Sequence, residues 1–242
     1  MTKNLSLRAC MLSLLAGVGS FNGDDSVDNK KPDSITALTE KRTNFKSVYT
    51  QADYYPWDAY KPYANTTGAW NSGTANYNPT TTGAVSASCK NCPTKEEMIK
   101  YINAGAVYWD GGFGTVENGL QTFTTPKEST SSGSTETQVN HEGIWLLKKV
   151  YWPETMGTTD YKGTTAITAD NASIRTSGKY CFLPAAGYYS FGSFRVAGSY
   201  GYYWSSIPND DGDSAYYLNF FDGYVAVDYG YCGRGYLPMI AE

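Results

Sequence analysis

Tyr216-Tyr217-Leu218-Asn219-Phe220-Phe221-Asp222-Gly223-Tyr224-Val225-Ala226-Val227-Asp228 is the stretch on which the fold turns. Leu218, Phe220, Val225 and Val227 share one parity. Tyr217, Asn219, Phe221, Tyr224, Ala226 and Asp228 share the other, with Asp222-Gly223 between the two runs. Side chains alternate faces along a strand, so this pattern predicts an antiparallel hairpin with one face in a core. A two-residue Asp-Gly loop predicts a type I′ turn. That register sets Phe221 against Tyr224, Asn219 against Ala226 and Tyr217 against Asp228, and it leaves aromatic and small polar groups on the outer face.

The outer-face chemistry continues on both sides. Between Gly187 and Tyr236, 33 of 50 residues are Tyr, Ser, Gly, Asn or Asp, and 11 of them are Tyr. Evolved binding loops draw on the same residues, because Tyr gives a large amphipathic contact at low entropy cost while small polar groups adapt their hydrogen bonds. The window holds no Lys, Glu, Gln or Met, although exposed β-structure ordinarily carries Lys and Glu. Codons that begin as AAC or AAT and are randomised at both adenines can encode Tyr, Asp, Ser, Gly, Ala, Phe, Val or Cys, but never Lys, Glu, Gln, Met or Trp. Diversification of that kind accounts for the gap. The candidate contacts are Tyr188, Tyr189, Ser190, Tyr200, Tyr202, Tyr217, Asn219, Phe221, Asp222, Tyr224, Asp228, Tyr229, Tyr231 and Tyr236, with Tyr189, Tyr203 and Tyr216 the first expected to pack inward instead.

The remainder of the 242 residues supplies a frame. With 15% aromatic and only 17% charged residues, the chain is built to bury a core. A net charge of −4 offers nucleic acid or an anionic membrane no electrostatic attraction. Thr94 and Glu97 form a capping box opening a helix with apolar Met98, Ile99, Tyr101 and Ile102, which Gly105 closes. Gly143–Leu147 and Lys179–Pro184 read as buried strands. One or two helices, late strands and long loops make an α+β class with a mixed or antiparallel β core.

Residues 1–20 read as an export signal, 21–45 as a polar tether and 46–242 as the domain, with the variable face at 187–236. Phe21 stands where a lipobox would place cysteine, so no thiol is available there for acylation, though surface anchoring through the N-terminus stays open. Tyr54–Tyr63 is too apolar for a linker and too Pro-rich for a strand, and is expected to wrap against the domain. Ser129–Thr135 reads as a loop. Cys89, Cys92, Cys181 and Cys232 allow three pairings, and a local Cys89–Cys92 disulfide or free structural thiols are both open. Asn209–Asp213 lacks the spacing of a calcium loop, and no cofactor or metal is expected.

Three further sets of residues carry a resemblance. Phe182-Leu183-Pro184-Ala185-Ala186-Gly187, Gly201-Tyr202-Tyr203-Trp204-Ser205-Ser206 and Ala215-Tyr216-Tyr217-Leu218-Asn219-Phe220 resemble the Fibrobacter succinogenes major paralogous domain. The likeness is strongest to its Bacteroidetes members that serve as variable proteins of diversity-generating retroelements. Cys89-Lys90-Asn91-Cys92-Pro93-Thr94, Tyr108-Trp109-Asp110 and Gly143–Lys149 fit the same family, and the likeness spans roughly residues 46–242. It implies a C-type-lectin-like fold, related to that of formylglycine-generating enzyme, with variable side chains on a rigid ligand-binding face.

The leading expectation is therefore an exported, cell-surface, outer-membrane or extracellular binding protein, not an enzyme. Its partner would be a protein or glycan on a host, bacterial or phage surface. Two alternatives remain: a structural envelope or fimbria-associated protein whose Tyr face is covered by neighbouring subunits, and an oxygen- and copper-dependent oxidase, which would need Cys181 and Cys232 as a reactive pair in a cleft.

Overall fold

The computed structural model describes residues 46–63, 88–128, 135–157, 167–168 and 172–240, within a compact unit running Glu40–Glu242. The export signal, the tether and most of the Ser/Thr-rich loop lie outside the described residues. The expected hairpin is formed by β10 (Ser214–Phe221) and β11 (Tyr224–Tyr231), paired as Phe221↔Tyr224, Asn219↔Ala226 and Tyr217↔Asp228. Its turn differs from expectation. Gly223 alone takes a positive φ, 75°, whereas a type I′ turn needs Asp222 there as well. Glycine enters that region at no steric cost, and Asp222 stays outside it.

That hairpin belongs to a sheet of order β11-β10-β9-β12, in which β9 (Gly201–Pro208) is antiparallel to β10 and β12 (Leu237–Pro238) runs parallel to β9. The second four-stranded sheet has the order β5-β1-β4-β6, made of β1 (Tyr108–Asp110), β4 (Gly143–Leu147), β5 (Ile167–Thr168) and β6 (Tyr180–Pro184). Two two-stranded ribbons complete the strands: β2 (Phe123–Pro126) with β3 (Thr137–Asn140), and β7 (Tyr188–Ser190) with β8 (Ser193–Arg195). With helices α1 (Lys95–Asn103) and α2 (Ala172–Thr176), the described chain is α+β and mostly strand.

The capping box that starts α1 is present: Glu97 N donates to Thr94 Oγ1, and Thr94 N donates to the Glu97 carboxylate. Lys149 Nζ binds the other Glu97 oxygen at 2.8 Å, and these bonds hold the carboxyl below its ordinary pKa. The helix ends at Asn103 with Ala104 in right-handed geometry, so Gly105 does not supply a left-handed cap. Met98, Tyr101 and Ile102 are buried, and α1 packs on β4 and on the inner side of β9–β11.

The central sheet carries apolar packing on both faces. Tyr203, Leu218, Phe220, Val225 and Val227 join the main core with α1 and strands β4 and β6. Trp204, Ala215 and Tyr217 turn the other way and join Trp57, Cys89, Cys92, Cys232 and Tyr236. The Pro-rich segment provides that second layer, wrapping as expected: Tyr54 and Trp57 are fully buried. Tyr55 exchanges backbone hydrogen bonds with Tyr236, and Trp57 Nε1 donates to the Ser205 carbonyl at 3.0 Å. A Pro-rich chain cannot pair as a regular strand, so it fastens through indole and phenol groups instead.

Candidate functional site

The outer side of β9–β11 holds a continuous run of rings. Trp204 and Tyr236, both fully buried, form its floor with centroids 4.3 Å apart, and Tyr217 meets Tyr236 edge-on at 5.1 Å. Tyr202 stacks above Tyr236 at 4.9 Å and is nearly parallel to Tyr200 at 6.2 Å. Tyr200 meets Phe221 at 4.9 Å, and Phe221 stacks on Tyr224 at 4.6 Å across the hairpin mouth. Tyr188 closes the opposite side, 4.7 Å from Tyr202. Contacts of this kind add roughly 0.5–1.5 kcal/mol each beyond area burial, so the rings hold one another in place.

Several expected contacts are brought together there: Tyr188, Tyr200, Tyr202, Phe221 and Tyr224 are half-buried on one surface, with Asn219 among them and Asp222 and Asp228 exposed at its margin. The Asn219 side-chain oxygen is buried without a hydrogen-bond partner among the described residues. Tyr217 and Tyr236 belong to the floor.

Others go elsewhere. Tyr189 points to the main core, where it stacks on Tyr63 at 5.2 Å, and burial pushes its hydroxyl up to about 12. Ser190 is buried in the same ribbon. Tyr229 and Tyr231 share the parity of Val225 and Val227 and so leave the aromatic face, because a strand cannot send odd and even residues to one side. Tyr229, 53% exposed, meets Tyr216 edge-on at 6.1 Å on the side where Lys95 of α1 lies over the Tyr216 ring. Tyr203 packs inward as expected, its hydroxyl donating to the Pro184 carbonyl at 2.7 Å.

Sequence reasoning missed Arg234. Its Nη1 donates to the Tyr236 hydroxyl at 3.0 Å, and its charge acts on Tyr188, Tyr202, Tyr217 and Tyr236. The available signal was its position two residues before Tyr236, and that Arg195 and Arg234 are the window's only cationic residues. Burial, and then mutual repulsion or nearby acids, push the Tyr202, Tyr217 and Tyr236 hydroxyls far above their ordinary value. They are neutral at any physiological pH, able to donate and accept hydrogen bonds.

No family model, curated protein or solved structure matches this chain. The chemistry of the face therefore rests on its own geometry. No disulfide joins the four described cysteines, and all four are buried. Cys181 belongs to the main core and Cys232 to the outer cluster. Burial pushes the Cys232 thiol up to about 12, which keeps it un-ionised near neutrality.

The buried phenols and thiols carry a pH signature. Their folded pKa values lie above the unfolded ones, so their stabilisation is complete below the unfolded values, about 8.5 for Cys and 10 for Tyr, and is lost as pH rises past them. Chemical denaturation should give a constant midpoint from pH 6 to roughly 8 and a falling one above about 9. A midpoint unchanged to pH 11 would contradict the burial of these groups.

Proposed function

We propose that the chain is a ligand-binding protein that recognises a partner through the ring-lined outer face of β9–β11. The carrying observation is that half-buried Tyr188, Tyr200, Tyr202, Phe221 and Tyr224 stand on a fully buried floor of Trp204 and Tyr236. Preorganised aromatics of this kind lose little entropy on binding. The domain is read as C-type-lectin-like and as a variable protein of a diversity-generating retroelement, exported to the cell surface. The ordered sequence motifs, the Lys- and Glu-free window and the two mixed sheets with long loops support that reading. A near-copy of the 3′ end of the gene differing at adenines, beside a reverse-transcriptase gene, would be the genomic counterpart.

The test compares the purified full chain with Phe221→Ala and Tyr224→Ala on a panel of bacterial cells, host cells and phage. On the target that the parent binds, each variant should lose at least about tenfold in affinity while melting within a few degrees of the parent. Loss of folding in both variants, or undiminished binding, would remove the face from the function.

A further inference from the structure

We propose that Arg234 anchors a carboxylate on a protein partner, with Tyr188, Tyr202, Tyr217 and Tyr236 forming the wall around that ion pair. This rests on the reading of the ring-lined face as the binding surface and names the group that the face selects.

A guanidinium has five N–H donors in a fixed fork. In Arg234, half-buried, one nitrogen binds the Tyr236 hydroxyl, and no ion pair to Arg234 exists among the described residues. The comparison within the chain is Arg175, whose equally planar head is spent on the Asp110 carboxylate through two 2.7 Å bonds. Arg234 has the same capacity with no carboxylate in place. Partial burial opposes its charge, and the hydrogen bond to the Tyr236 hydroxyl offsets that cost. A cation kept charged in a partly desolvated aromatic wall binds a carboxylate more strongly than a solvated surface Lys does, and the planar fork favours two parallel bonds. The half-buried Tyr188 and Tyr202 phenols, which feel the Arg234 charge, add neutral donors at its side.

The ring geometry points to a protein as the source. A sugar ring binds aromatic residues by lying on an open ring face. Here Tyr202 is stacked on Tyr200 and Tyr236, and Phe221 and Tyr224 are stacked on each other, so ring faces are largely spent on neighbours and edges with hydroxyls are presented. The surface also spans several strands, the breadth of a protein patch, and Tyr with Arg is the pairing that dominates protein hot spots. A Glu or Asp flanked by apolar side chains meets all of these features.

The test uses the full chain and two acetylated tripeptide amides, phenylalanine on both sides of either glutamate or glutamine, with glucuronate and sulfate as single anions. Arginine Nε–H and tyrosine ring resonances are followed by NMR at low salt. The glutamate peptide should shift the Arg234 signal saturably and bind about tenfold more tightly than the glutamine peptide. Arg234→Gln should bring that ratio to about one by weakening the glutamate peptide selectively, while lowering the melting temperature no more than Tyr236→Phe, which breaks the same Arg234–Tyr236 bond. Equal affinity of the two peptides, or an Arg234 signal that neither moves, overturns the proposal. Glucuronate binding as tightly as the glutamate peptide overturns the protein source. If Tyr202→Ala abolishes both peptides while Arg234→Gln changes neither, the binding face stands and the carboxylate anchor falls. If neither variant has an effect, both fall.

Discussion

Asp110→Ala lowers the unfolding free energy by about 3–5 kcal/mol, the loss expected when one partner of a buried ion pair is removed and the other is left behind. For a domain of this size that is a fall in melting temperature of roughly 6–20 °C. The Asp110 carboxylate receives four donors: Arg175 Nη2 and the Gly112 amide on one oxygen, Arg175 Nε and Trp145 Nε1 on the other, at 2.7–3.0 Å. It thereby ties β1, β4 and α2 together, and both charged side chains are almost fully excluded from water. Truncation would strand a guanidinium and an indole N–H in the interior at once.

The exposed Lys127–Glu136 pair has the same formal charges, and its removal should leave the melting temperature unchanged. A double variant, Asp110→Leu with Arg175→Met, should recover the part of the loss due to the stranded guanidinium but not the part due to the Trp145 indole and Gly112 amide, which still lack an acceptor. Thermal denaturation of the three proteins checks this. A single variant that melts within 2 °C of the parent would mean that the pair lies open to water.

Local patterns made part of the molecule legible. The period-two alternation of β10 and β11 needs only thirteen consecutive residues, and the Thr94–Glu97 capping box only four, so both could be placed without knowing the fold. Strands β4 and β6 were visible as short apolar runs for the same reason. The Asp110–Arg175 pair spans 65 positions, and nothing near Asp110 in sequence distinguishes it from a turn residue.

The site was half legible. Parity alone separates Tyr224 and Asp228 from Tyr229 and Tyr231, so the departure of the last two could have been read from the hairpin itself. The burial of Tyr236 could not, since it arises from a bridge to Tyr55 nearly two hundred positions earlier and from Trp204 beneath it. Composition identified a surface rich in Tyr, but it could not divide rings that meet a partner from rings that hold those rings up. That division depends on where the Trp57 segment docks.

Tyr236 turns this division into a measurement. Tyr236→Ala should cost about 3–5 kcal/mol, as expected for deleting a fully buried aromatic ring, again roughly 6–20 °C in melting temperature. It removes the ring that touches Trp204, Tyr202, Tyr217 and Tyr188 together, and the oxygen that fixes Arg234. Tyr236→Phe keeps those ring contacts and loses only the hydroxyl, so it should cost about 1–2 kcal/mol. Tyr224→Ala, at the half-exposed end of the run, should cost about 1 kcal/mol through its stack on Phe221. Stability and partner affinity should therefore separate. Tyr224→Ala binds poorly while folding well, Tyr236→Phe folds nearly as well as the parent, and Tyr236→Ala loses binding because its floor has gone. Were Tyr236→Ala and Tyr224→Ala to cost the same stability, the floor and the rim would be one layer, and rings tolerant of substitution would have no rigid support beneath them.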